Sequence, residues 1–175
     1  RSSFSDKPGT MIGKEAQKMD EALITGVTLN RSESKITVCD VPDKPGVAAN
    51  IFGDLSAGGV SVDMIVQNVS HTRKTDISFT VSNANFAKAI RLTKKIARQI
   101  GAGEVLDDQN IARVAVVGIG MKSNPGVAAK MFKTLAENKI NIEMISTSDI
   151  SISCIIQKKF AEIAIKSIHA KFGLG

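Results

Sequence analysis

A single turn, used twice, constrains this chain more than any other feature. Asp43-Lys44-Pro45-Gly46-Val47-Ala48-Ala49 is matched eighty positions later by Ser123-Asn124-Pro125-Gly126-Val127-Ala128-Ala129. The same offset carries Phe52 onto Phe132, Leu55 onto Leu135, Met64 onto Met144 and Ile65 onto Ile145; from Pro45 to Ile65 it gives 9 identities in 21 positions. Val60/Ile140, Val62/Ile142 and Asp63/Glu143 are conservative pairs at that spacing. A repeat of this length means one building unit made twice, so the fold inferred for one copy has to serve for both.

Hydrophobic spacing defines the unit. Residues 22–29 are β-rich and close on the turn signal Asn30-Arg31-Ser32, which predicts a strand standing before the first copy. Within that copy, 35–41 reads as a strand. Residues 47–57 read as a helix with Val47, Ile51, Phe52 and Leu55 on one face, stopped by Gly58-Gly59. Residues 60–69 read as a second strand with Val60, Val62, Met64 and Val66 on one side, 70–74 as a hairpin loop, and 76–81 as a third strand. A helix follows over 83–100, its apolar stripe Phe86, Ala89, Ile90, Ile96 and Ala97, ended by Gly101 and Gly103. Glu104-Val105-Leu106 supplies a short fourth strand. The order β-α-β-β-α-β is the split unit of ferredoxin-like folds: α+β, an antiparallel sheet with helices on one face.

The second copy repeats that order over 113–119, 125–137, 140–147, 150–156 and 158–171, with a tighter middle hairpin, and then lacks a fourth strand. An incomplete sheet leaves backbone donors and acceptors unpaired. The strand at 22–29 is the available completion. The expected organisation is a first unit at 33–108 inserted into a second built from 22–32 plus 109–175, with the polar segment 1–21 as a connector from something longer.

Composition narrows the function classes. A 43% hydrophobic content can fill the cores of two small domains, and 23% charged residues suit a soluble surface. No apolar run is long enough to span a bilayer, and no basic-then-apolar leader is present. Cys39 and Cys154 fall in predicted strands of different copies and read as reduced thiols of a cytoplasmic protein rather than a disulfide. The net charge of +6 sits largely on two helices, at Lys88, Arg91, Lys94, Lys95 and Arg98 and at Lys158, Lys159, Lys166 and Lys171. Nucleic-acid binding couples such charge to aromatics that stack on bases. The chain has no Trp or Tyr, and its Phe residues mostly occupy core-like positions, so solvated helix faces are expected.

The two strand-to-helix turns are where chemistry can reside. A Pro-Gly pair opens each helix: proline tolerates the first turn, where its missing N–H has no partner, and glycine lets a ligand approach the backbone. The free amides of a helix start attract a carboxylate, and Asp43 beside them can take an ammonium. The turn therefore reads either as a site for an amino-acid zwitterion or as plain helix capping by Asp43, Ser123 or Asn124. Other signals are weak. Gly118-Ile119-Gly120 lacks the third glycine of a dinucleotide fingerprint, and there is no phosphate-cradling loop. His71 and His169 have no ligating neighbours at metal spacing, His71 reading as a loop residue and His169 as a helix-face residue. Asp63 and Glu143 occupy matching positions and read as salt-bridge or solvent-facing groups across an interface between the copies. No active site emerges.

The repeated strand–Asp43-Lys44-Pro45-Gly46-Val47–helix unit, followed by Ser61-Val62-Asp63-Met64-Ile65-Val66-Gln67-Asn68-Val69-Ser70, resembles the paired ACT domains of aspartate kinases. Gly120 to Val127 with Ile140-Asn141-Ile142-Glu143-Met144-Ile145-Ser146-Thr147-Ser148 resembles the second of that pair, and Arg1-Ser2-Ser3-Phe4 with Pro8-Gly9-Thr10 resembles the family's passage out of its kinase domain. The resemblance covers about residues 20–172. It implies the insertion deduced above and a regulatory region, or regulatory subunit, of an ATP-dependent enzyme that phosphorylates the β-carboxylate of aspartate. ATP and Mg would belong to the kinase domain, and no cofactor to this chain. End products, threonine and lysine, would bind where two ACT domains pair side by side, which implies a homodimer.

Carried over by motif, one effector site takes Asp43, Lys44, Gly46, Val47, Ala48, Ile65, Gln67 and Asn68, with Asn141, Ile142 and Thr147 from the partner domain. A second possible site takes Met121, Ser123, Asn124, Gly126 and Val127 with Ser61, Val62 and Asp63. Because Ser123 stands where the first copy has Asp43, that turn lacks a carboxylate for the ammonium, and one good site per pair is expected. The alternatives are an ACT-type sensor of another enzyme or regulator, and an RNA-binding ferredoxin-like module. No nucleic-acid or membrane partner is expected.

Overall fold

The computed structural model describes residues 23–68, 73–119, 121 and 124–174. In chain order these form β1 (Leu23–Asn30), β2 (Glu33–Pro42), α1 (Val47–Ala57), β3 (Val62–Gln67), β4 (Lys74–Ser82), α2 (Phe86–Ile100) and β5 (Val105–Asp108). There follow β6 (Ile111–Ile119), α3 (Pro125–Glu137), β7 (Met144–Thr147), β8 (Ser151–Gln157), a 3-10 turn at Lys158–Phe160 and α4 (Ala161–Lys171). The connector read at 1–21, His71 and most of the loop read at 70–74 lie outside the described residues.

Two four-stranded antiparallel sheets result, ordered β3-β4-β2-β5 and β1-β6-β8-β7. In the second sheet β1 pairs along β6 from Leu23 opposite Ile119 to Asn30 opposite Arg113. The sheet of the second copy is thus completed by a strand that precedes the first copy in the chain. Each sheet carries its two helices on one face over its own core. Ile36, Val38, Ile51, Leu55, Ile77 and Phe79 are buried in the first, where Phe52 meets Phe79 edge-on at 5.6 Å. Val114, Val116, Met131, Leu135, Ile152, Ile156 and Ile168 are buried in the second. The two cores are closed separately, as expected when each repeat buries its own apolar helix face.

The helix-free faces meet one another. Met64 of β3, Ile111 of β6, Met144 of β7 and Ile155 of β8 form a third buried cluster, with Val66 against it. Met64 and Met144 are repeat-equivalent, so the copies face each other about an approximate two-fold axis. This corrects the sequence pattern of β3, in which Val60, Val62, Met64 and Val66 share one side. The pairing of β3 with β4 slips between Val62 and Ile65, so three residues of β3 span two of β4. A bulge of this kind resets the alternation. Val60 and Val62 stay with the core beneath α1 and α2, while Met64 and Val66 turn to the seam. A second correction concerns the strand expected over 140–147. It starts only at Met144, because the amide of Ile140 bonds back to the Leu135 carbonyl as the chain leaves α3, and Ile140 and Ile142 serve the core.

Candidate functional site

The first Pro-Gly turn is held by backbone alone. The Asp43 amide donates to the Arg73 carbonyl at 3.0 Å, the Lys44 amide to the Pro42 carbonyl at 2.9 Å and the Val47 amide to the Lys44 carbonyl at 3.3 Å. Gly46 is the residue that caps α1, at φ 92°. L side chains are disfavoured there, and a Cβ at this position would project into open space. Here the structure corrects the expectation of a helix opening on Pro-Gly: Pro45 and Gly46 form a turn and α1 begins at Val47. In the second copy Pro125 and Gly126 do belong to α3, and Gly126 has no positive φ.

Neither helix start has a side-chain cap; α1 is preceded by Gly46 and α3 by Asn124 without such a bond. That removes Asn124 as a capping side chain and leaves the amides of Ala48 and Ala49 without intrahelical acceptors. Asp43, Lys44 and Gly46 are exposed, whereas Val47 and Ala48 are half-buried. At the end of β3, Gln67, Asn68 and Ile65 are exposed, and the Asn68 carbonyl accepts from the Thr75 hydroxyl. These residues stand at one end of the first sheet, Asp43 to Gly46 after the inner strand β2 and Gln67 and Asn68 at the close of the edge strand β3. Their sequence-assigned complements Asn141 and Ile142 lie at the start of the second copy's edge, Asn141 exposed and Ile142 packed into that copy's core.

The second turn lines a cavity of about 400 Å³ with Met121, Asn124, Ala128, Thr147, Ser148, Asp149 and Ile152. Thr147, assigned by motif to the first site, therefore sits beside the second turn of its own chain. By the 80-residue offset the same places in the first copy are Val41, Lys44, Ala48, Gln67 and Asn68, so the two turns are versions of one pocket. Val127 is buried in the core and can offer a ligand only its backbone, Gly126 is exposed, and Ser123 lies outside the described residues. Asp149, on the β7–β8 hairpin, is a carboxylate at this pocket that sequence reasoning missed. The hairpin is five residues shorter than its counterpart, and no motif shows what it bends over.

Ser61, Val62 and Asp63 line a different cavity, of about 430 Å³, with Asn30, Ser32, Glu33 and Ser82. One chain thus holds the two groups of residues expected to make the second site in separate cavities. This cavity opens on the seam between the copies. Arg113 of β6 reaches Glu33 Oε1 with Nη2 at 2.7 Å and Asp63 Oδ2 with Nη1 at 2.7 Å. Lys35 pairs with Glu143, which also accepts from Gln157. Asp63 and Glu143 therefore both form salt bridges to the opposite copy. Burial pushes the Glu33 carboxyl above its ordinary range; Arg113 pulls it back, and Asp63 adds to the rise. Glu33 also accepts from Asn30, while its Oε2 is buried without a hydrogen-bond partner.

Both cysteines are free, Cys154 buried and Cys39 half-buried. Burial pushes the Cys154 thiol up to about 12, and burial together with Asp76, Glu104 and Asp40 raises that of Cys39. Neither is poised as a nucleophile. The basic residues of α2 and of the last helix named above are all exposed, and His169 is half-buried on α4. Among the described residues no cluster of three His, Cys, Asp or Glu stands together as a metal site, and no helix is long and apolar enough to cross a membrane.

The family pattern of the ACT domain matches residues 36–95 and again 114–172. The regulatory subunit of aspartate kinase from Thermus thermophilus, in its ligand-free form, is 38% identical and superposes with a TM-score of 0.81, over 85% of this chain and 98% of that one. The aspartokinase of Pseudomonas aeruginosa is 47% identical over 98% of this chain and 42% of its own length; that of Mycolicibacterium smegmatis is 42% identical over 100% and 42%. The chain belongs to the ACT domain family, in the branch formed by the regulatory regions of aspartate kinases. It spans less than half the length of the curated relatives it matches.

Proposed function

We propose that this chain is the effector-sensing region of a cytoplasmic, ATP-dependent aspartate kinase, with ACT units at 33–108 and at 22–32 plus 109–175 and a linker at 1–21. Threonine, lysine or both bind it and feed back on phosphorylation of aspartate in the catalytic part. The observation that carries this reading is the uncapped start of α1. Its open amides, presented by Gly46 in a left-handed turn, stand beside the exposed carboxylate of Asp43. Amides for an α-carboxylate and a carboxylate for an α-ammonium are what a free amino acid requires. Gln67 and Asn68, at the close of β3 and the same end of the sheet, are assigned to read its side chain.

The sites are completed by a second copy. β3 and β7 are edge strands of separate sheets, and within one chain the copies meet through their faces rather than along those edges. Pairing β3 of one chain beside β7 of another brings Asp43, Gly46, Gln67 and Asn68 against Asn141 and Ile142. Coupling to the kinase follows if the effector binds one arrangement of the paired domains more tightly than the other. ATP and Mg are assigned to the catalytic part.

Calorimetric titration of the 175-residue chain with threonine and with lysine tests the reading. Replacing Asp43 by Ala removes a charge-assisted contact of about 1.5–3 kcal/mol and weakens binding by roughly ten- to a hundredfold. Unchanged affinity in that variant rejects the role given to Asp43.

A further inference from the structure

Asp63 is the one carboxylate among the residues assigned to the second effector site, and it is already engaged. Its Oδ2 accepts from Arg113 Nη1 at 2.7 Å, while the other terminal nitrogen of the same guanidinium holds Glu33 Oε1 at 2.7 Å. The two carboxylates differ in kind. The Glu33 side chain is 5% exposed and the Asp63 side chain 55%, so Asp63 is much the more open of the two to solvent and ligands. Arg113 comes from β6, in the opposite copy, and is itself mostly covered. Around them lies the cavity of about 430 Å³, with Asn30, Ser32, Ser61 and Ser82 contributing further polar groups.

We propose that Arg113 is the resident cation of this second site: it holds Asp63 until the ammonium group of an amino acid takes its place, so that filling the site releases one tie across the seam between the ACT units. The inference rests on the effector reading given above. Its chemical basis is the guanidinium's fork, which grips two carboxylates at once where an ammonium on a flexible stem grips one. An incoming ammonium competes with Arg113 chiefly for Asp63, because Glu33 is largely covered and keeps the guanidinium beside the cavity. The tie being released joins β3 of the first copy to β6 of the second. Occupancy is therefore felt at the surface where the copies meet, without a relay through either core. The repeat supplies a matching tie: Lys35 and Arg113 hold the same position of their strands, as do Glu143 and Asp63, but only Arg113 also holds a second carboxylate, Glu33.

The test is calorimetry with lysine and with threonine on the 175-residue chain carrying Asp43→Asn, which silences the first site and leaves the second. Adding Arg113→Lys keeps a positive charge on Glu33 but frees Asp63, and we expect the remaining isotherm to tighten about two- to fivefold, the scale of an exposed ion pair. The double change Glu33→Gln with Arg113→Gln frees Asp63 by another route, leaves no unpaired buried charge and should tighten it similarly; Asp63→Asn should abolish it. Damage to the fold weakens binding, so tightening is a readout that a merely structural role does not produce. Equal or weaker affinity in both Arg113 variants overturns the proposal while the effector reading stands. If neither amino acid binds once Asp43 is replaced, though both or either bind the natural sequence, the second site and this proposal fall together. If neither binds the natural sequence, the effector reading itself is wrong.

Discussion

At the scale of single residues, the seam between the copies is held by two repeat-equivalent ties, Arg113 with Asp63 and Lys35 with Glu143. Glu33, whose equivalent in the second copy is the apolar Ile111, adds a buried carboxylate to Arg113 and makes that tie a fork. Removing one partner of such a buried pair costs about 3–5 kcal/mol, mostly the penalty for the charge left behind. The residual cost of burying Glu33 has a pH signature. Its carboxyl is raised above the ordinary 4.5, so the folded chain keeps this proton at pH values where the unfolded chain has lost it. Between 4.5 and the raised value, stability falls as pH rises. Glu33→Gln removes that slope. Thermal midpoints across a pH series should show the variant gaining on the natural sequence through this window, and a difference flat with pH refutes the assignment. Glu33 and Arg113 stand eighty residues apart in the sequence, with no motif to mark them as partners. Their contact depends on two sheets stacking face to face, which local patterning does not encode.

At the scale of elements, the two turns look alike in sequence and differ in backbone. Gly46 lies outside its helix at φ 92°, whereas Gly126 lies inside α3 without a positive φ, and a Cβ meets nothing within 4 Å at either. Alanine at 46 should therefore destabilise the fold by about 1–2 kcal/mol through backbone strain alone. Alanine at 126 should be neutral or stabilise by about 0.5–1 kcal/mol, since glycine is a poor helix residue. Denaturant unfolding of the two variants compares them directly, and equal effects would mean the turns are conformationally the same. The helices over 47–57 and 125–137 were legible to the residue, because Pro, Gly and the apolar spacing bracket them. The bulge in β3 was not legible. It arises from pairing with β4 and from the Met64 amide turning to the Thr80 hydroxyl at 3.2 Å, a contact between strands rather than a property of either.

At the scale of the whole molecule, the exposed edges tell against the chain acting alone in the proposed role. Ile65 on β3 and Ile145 on β7 are repeat-equivalent and remain 50% and 43% exposed. Edge strands with free backbone groups and apolar side chains pair readily with another chain, and a lysine on the edge blocks that pairing. Ile65→Lys combined with Ile145→Lys should shift sedimentation towards monomer and abolish the threonine or lysine isotherm. A dimer that persists with full binding would place the effector sites elsewhere. The duplication, the βαββαβ order of each copy, both Pro-Gly turns and the missing fourth strand of the second copy follow from the sequence by itself, because periodicity, turn residues and backbone pairing act over short stretches. Which faces stack, that Asp63 is held by Arg113, that Asp149 lines the pocket at the second turn, and that the residues expected for a second site fall in separate cavities were decided by tertiary structure alone. These depend on where whole sheets come to rest, and burial and charge pairing between distant strands leave no periodic trace in the chain.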